Sequence, residues 1–160
     1  MSVRVKMKTL ILAISTLFCV AYLHAQTNYY ATTKTFNQDG YIYQCDVRAS
    51  GFVTLYNKST GESFAQTDAG IELFEDDNWT SSKCKSIVNA AFSDSEKQKV
   101  KGHDFNIIMY INSSTGRVDE VSFEFHKSDP FAAIPISVYR KIEIELKKDI
   151  WFTLTAEGKM

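Results

Sequence analysis

Residues 116–158 read GRVDEVSFEFH, KSDPFAAIP, ISVYRKIEIELKK and DIWFTLTAEG, and this stretch decides the fold. Val121, Phe123 and Phe125 alternate with Ser122, Glu124 and His126, the period of a half-buried strand. Lys127-Ser128-Asp129-Pro130 ends it. Pro135 suits a first helical position, and Ile134, Val138, Ile142 and Leu146 then recur every fourth residue, with Tyr139 widening the stripe. Glu143 and Lys147 are read as an i, i+4 surface pair, worth a few tenths of a kcal/mol. Ile150, Phe152 and Leu154 share one face of an expected closing strand. The order is strand, helix, strand.

Upstream, Cys84, Ile87, Val88, Ala91 and Phe92 fall on one face of a helix expected from Thr80 to Phe92. Thr80 is the candidate N-cap, with the acidic run Glu75-Asp76-Asp77 ahead of it at the positive end of the dipole. Ser93-Asp94-Ser95-Glu96 reads as a capping box that restarts a helical turn, and Gly102 stops it. Residues 105–111 (FNIIMYI) read as a largely buried strand joined to the next by the turn 112–116. Further upstream the pattern is β throughout. A turn at 37–40 precedes the alternating strand Tyr41 to Arg48, Phe52 to Asn57 follows, and Lys58 to Gly61 turns the chain into Glu62–Gln66 before Asp68-Ala69-Gly70 and Ile71. The fold class expected is α+β: antiparallel sheet with two main helices packed on one face, an amino-terminal β-meander over 26–78 and an α-β-β-α-β unit over 79–160.

Residues 1–25 are set apart as a cleaved signal peptide. Arg4, Lys6 and Lys8 precede the 15 apolar-rich residues 9–23, too few for the roughly 20 that span a bilayer, and Leu23-His24-Ala25 offers a cleavage site. The expectation is an exported protein, periplasmic or secreted, with no membrane span after cleavage and one domain over 26–160. The segment removes three of 18 basic residues and none of 19 acidic ones, leaving a net charge of −4. That balance argues against a nucleic-acid partner, which requires a concentrated basic face. Cys45 and Cys84 remain. In an oxidising compartment an even count suggests a bridge closing a loop of about 40 residues, worth about 4 kcal/mol; two separate buried thiols are the alternative.

Two resemblances follow from these residues. The order of elements, with Gly116-Arg117-Val118-Asp119-Glu120-Val121 and the tail Phe152 to Lys159, resembles the carboxy-terminal domain of TonB-type periplasmic proteins. No proline-rich spacer precedes it, so receptor coupling is not implied. Thr35 to Cys45 (TFNQDGYIYQC) and Ile134 to Glu143 (IPISVYRKIE) resemble small secreted proteins of unknown function from Gram-negative gut anaerobes. That resemblance implies export and no particular activity.

The chemistry-bearing residues are sparse. His103-Asp104 reads either as a base oriented by a carboxylate or as a polar loop, and His126 ends a strand on its wet face. Glu75-Asp76-Asp77-Asn78 offers hard oxygen ligands but lacks the alternation, Gly and distal Glu of a calcium loop. Glu120, Glu124 and Glu143 are placed on wet faces rather than in a catalytic pair. No cofactor or metal motif occurs. Tyr41, Tyr43, Tyr56, Trp79 and Trp151 form the candidate ligand-binding set, since sheet-mounted aromatics stack on sugars and peptides; ordinary strand packing is the competing reading. The expectation is a non-enzymatic binding or interaction module for an unknown protein, peptide or glycan. A small hydrolase of cell-surface polymers and a subunit of an envelope assembly are the alternatives.

Overall fold

The computed structural model describes residues 27–59 and 73–159. The proposed signal segment, the strand 62–66, the turn 68–70 and Ile71 lie outside the described residues.

Five antiparallel strands form one sheet: β1 (Lys34–Gln38), β2 (Tyr41–Val47), β3 (Phe52–Asn57), β4 (Asn106–Ile111) and β5 (Val118–His126). Their order across the sheet is β1-β2-β3-β5-β4. Three helices complete the fold, α1 (Thr80–Ala91), α2 (Asp94–Val100) and α3 (Ile136–Asp149), together with a 3₁₀ turn at Pro130–Ala133. The α+β class is as the patterning requires.

The first hairpin turns on two residues alone. Asp39 and Gly40 take φ of 52° and 80°, the left-handed pair that a two-residue hairpin needs, while Asn37 and Gln38 stay in β1. The alternation in β2 and β3 places Tyr43, Cys45, Val53 and Leu55 on one face, all fully buried, beside Val121, Phe123 and Phe125 of β5. Helix α3 lies across this face, packs on β5 and reaches β1, while α1 packs on α3. Tyr139 of α3 stacks on Phe125 at 5.6 Å and donates to the Phe131 carbonyl at 2.8 Å. Tyr30 tucks beneath the 3₁₀ turn and donates to the Ile134 carbonyl at 3.0 Å. These two buried phenols therefore have partners, as burial demands, whereas the buried Ser122 Oγ has none.

The capping box predicted at Ser93 is present in both directions: the Glu96 carboxylate accepts from the Ser93 amide at 2.8 Å, and the Ser93 hydroxyl accepts from the Glu96 amide. The cap of α1 is displaced from its expected place. Thr80 is the first helical residue, and Asp77 serves it by accepting from the Trp79 and Thr80 amides at 3.0 and 2.7 Å. The expected closing strand is reduced to two isolated bridges, Arg117 with Trp151 and Phe74 with Leu154. Its partners come from two short, separate stretches, so no continuous ladder can form. The tail is instead pinned where Gly116, at φ 70°, passes the Phe152 carbonyl so closely that a Cβ would sit 2.0 Å from it. Among the described residues no helix is long and apolar enough to cross a membrane.

Candidate functional site

Two constellations stand out, one sealed and one open. The sealed one joins α3 to the inner face of the sheet. Glu143, fully buried, accepts from the Tyr43 hydroxyl and from Asn57 Nδ2 at 3.0 Å. Arg140 Nη1 lies 3.1 Å from the same carboxylate, and Lys147 Nζ sits 3.7 Å from it and 2.9 Å from Glu120. Arg140 also covers the Tyr41 ring at 3.6 Å. Burial first, then the hydrogen bond to Glu143, pushes the Tyr43 phenol far above its ordinary pKa. The sequence placed Glu120 and Glu143 on wet faces; both are buried, because their partners arrive from β2, β3 and α3 together. This ionic lock engages every carboxylate and leaves Arg140 Nε buried without a partner, and it fixes helix to sheet rather than presenting a reactive group.

The open constellation is a groove of about 690 Å³ between α1, α2 and the edge strand β4. Val88 of α1, Phe92 just past its end, Val100 of α2, Phe105 and Ile107 at β4, and Phe131 of the 3₁₀ turn supply its apolar wall. Its rim carries Lys85, Lys97 and Lys101, with Asn89, His103 and Asp104. The groove exists because α1 leans on α3 and leaves the outer part of the sheet uncovered. A second, shallower depression of about 750 Å³ shares Cys84, Lys85 and Met109 with it and continues toward Phe74 and Phe152, past Glu75, Asp76 and Asp77.

The predicted aromatic set does not converge. Tyr43 is in the core, and Tyr41, on the same face, is 39% exposed beneath Arg140. Tyr56 belongs to the opposite face of the sheet, where its hydroxyl donates to Asp46 at 3.1 Å. Trp79 and Trp151 alone meet, with ring centroids 4.5 Å apart and Trp151 48% exposed. Cys45 and Cys84 are free thiols, Cys45 in the core and Cys84 at the junction of the two depressions. His103 and Asp104 share the groove rim without a hydrogen bond between them. Glu124 and His126 face the other way, held by Arg48 at 3.3 Å and by Ser128 at 2.6 Å. Among the described residues no three His, Cys, Asp or Glu side chains gather as a metal-ligand set.

A family model described as a domain of unknown function, DUF5043, matches residues 26–160. The chain belongs to the DUF5043 family. A crystal structure of a DUF5043 family protein from Bacteroides uniformis ATCC 8492 is similar to it, with 37% identity over 83% of this chain and 82% of that one, and a TM-score of 0.73. No curated protein matches. The likeness to secreted proteins of gut anaerobes thus leads to a DUF5043 relative in one such organism, while nothing found bears on the TonB likeness.

What the sequence did not reveal in this DUF5043 chain is the groove itself. The stripe Cys84, Ile87, Val88, Ala91, Phe92 has the periodicity of a core face, yet only Ile87 and Phe92 are buried, and Phe92 also borders the groove. Cys84 and Val88 are half exposed over the gap to β4. The one signal for this was compositional: Lys85 of α1, Lys97 of α2 and Lys101 just beyond α2 stand near the apolar residues at the positions that reach the rim.

Proposed function

We propose that this protein is an exported, non-enzymatic binding module whose ligand site is the groove between α1, α2 and β4. The single observation carrying this is an unfilled apolar cleft of about 690 Å³, inside the range of roughly 300–1,000 Å³ typical of small-ligand sites. A close-packed interior would fill such a space, since apolar walls with no neighbours forfeit dispersion contacts. The absence of convergence among His103, Asp104, Glu124 and His126 favours binding over hydrolysis. Export rests on the amino-terminal pattern of residues 1–25.

The test is titration with a neutral, environment-sensitive apolar dye such as Nile red. Saturable binding at one site per chain is expected, and Val88→Trp, which fills the cleft from a half-exposed position, should abolish it without lowering the thermal midpoint. No saturable binding, or binding indifferent to Val88→Trp, would remove the groove as the site.

A second reading has one observation in its favour, the stacked Trp79 and Trp151 with Trp151 largely exposed. Such a pair suits a sugar ring or an apolar peptide side chain. Trp151→Ala would then weaken capture of a glycan or peptide while leaving dye binding in the groove unchanged.

A further inference from the structure

The rim of the groove is predominantly positive. Lys85 comes from the middle of α1, Lys97 from the last turn of α2, and Lys101 from just beyond it, against the single carboxylate of Asp104. The whole chain carries a formal net charge of −1, so three lysines around one apolar cleft are a local concentration that overall composition does not supply. Among the described residues Lys85 and Lys101 have no carboxylate partner, and Lys97 has only a 3.8 Å contact with fully exposed Asp94. Lysines on the other faces of α1 and α3 are engaged: Lys83 with Asp149 at 3.3 Å, Lys147 with Glu120 at 2.9 Å, and Lys141 with the Ala90 carbonyl at 2.9 Å. Helix-dipole complementarity accounts for Lys97 and Lys101 at the carboxy end of α2. It does not account for Lys85, six residues into a helix of 12.

We infer that the groove takes a single-chain anionic amphiphile, a free long-chain carboxylate in solution. Its tail lies along Val88, Phe92, Val100, Phe105, Ile107 and Phe131, and its head is held by Lys85, Lys97 and Lys101. This rests on the groove being the ligand site and adds the charge and shape of what fills it. Each side of the complementarity has a physical cause. The wall removes methylenes from water, which is worth about fourfold in affinity per carbon while the tail still fits. Three flexible ammonium groups can close over one carboxylate at the mouth, as point charges with rotatable donors. A neutral chain would leave the lysines as they are, and a cationic one would be repelled by them.

The experiment is displacement of Nile red by dodecanoate, dodecanol and dodecyltrimethylammonium, each kept below its micelle-forming concentration, on the wild-type chain and on Lys85→Glu/Lys101→Glu. Both lysines are exposed, so the variant folds as the parent does, and displacement in each chain is scaled to that chain's own dye affinity. Dodecanoate should displace the dye at least tenfold better than dodecanol, the trimethylammonium should displace it least, and the double variant should lose the carboxylate preference. Tetradecanoate should bind more tightly than dodecanoate. Equal displacement by acid and alcohol, or a preference that survives the double reversal, overturns this inference while leaving a ligand groove intact. Failure of the dye itself to bind removes the groove as well. Sedimentation with anionic vesicles and no displacement by the free acid also overturns it, because the lysines would then serve a surface rather than a single chain.

Discussion

Glu143 shows how far one residue can depart from its local pattern. Its spacing from Lys147 was legible, and the contact is there at 3.7 Å, but the pair is not a surface pair. Helical spacing says which residues share a face; it does not say what the face meets. Here it meets Tyr43 and Asn57, about 100 and 86 positions away in the chain. Removing Glu143 from such a lock leaves uncompensated buried charge on Arg140 and a Tyr43 hydroxyl without its acceptor, a penalty of about 3–5 kcal/mol. Glu143→Ala should therefore lower the urea midpoint steeply. Glu145→Ala, two residues along and paired only with Lys148 at 3.5 Å, should change stability by no more than about 0.5 kcal/mol. Similar midpoints for the two variants in one denaturation series would show that Glu143 is not a structural tie.

At the scale of elements, boundaries were readable where the signal is local and unreadable where it is shared. The capping box at Ser93 appears as written because it depends on neighbours within a few residues, and the strand Val118–His126 appears because β3 and β4 flank its alternation on both sides. The closing strand does not, since ladder formation depends on partners at Gly116–Arg117 and Leu73–Phe74 that no alternation in residues 150–154 can announce. The start of α1 lies between these cases. An acidic lead-in was legible, but the acceptor is Asp77 rather than Thr80. The hydrogen bond from the Thr80 side chain, then that from its amide, hold the Asp77 carboxyl below its ordinary value of 3.8. A folded pKa below the unfolded one means the contribution is complete above about pH 4 and is lost as pH falls through the depressed folded value. Hydrogen exchange of the first-turn amides of α1 should therefore accelerate under acid earlier than that of α3, which begins at Pro135 without a side-chain cap. Asp77→Ala should produce the same acceleration at neutral pH. Asp77→Asn, which keeps the acceptor, should produce less. Identical protection in wild type and Asp77→Ala would mean that packing alone holds the turn.

Across the whole molecule, the sequence placed the core and left the groove hidden, for one reason. Alternation and helical periodicity mark which side chains avoid water, so Val121, Phe123, Phe125, Ile142 and Leu146 were assigned correctly to a shared interior. They do not mark whether two apolar faces meet, and α1 stands off β4 because it packs on α3. The two cysteines make this difference measurable. Cys45 sits fully buried under the sheet, and burial pushes its pKa up to about 11. Cys84 is half exposed over the groove, its pKa also raised, by burial and then by the Asp77 carboxylate. Access favours Cys84. A maleimide applied to the folded protein should modify Cys84 promptly and Cys45 only at the rate of global opening, so that Cys45 labelling reports the same unfolding free energy as denaturant. Dodecanoate or Nile red in the groove should slow the Cys84 reaction and, by stabilising the folded state, slow that of Cys45 as well. A chain that takes up no label while folded and weighs less by two hydrogens would carry a Cys45–Cys84 bridge instead, and the two thiols would then be a staple across the fold rather than separate probes of its interior and its cleft.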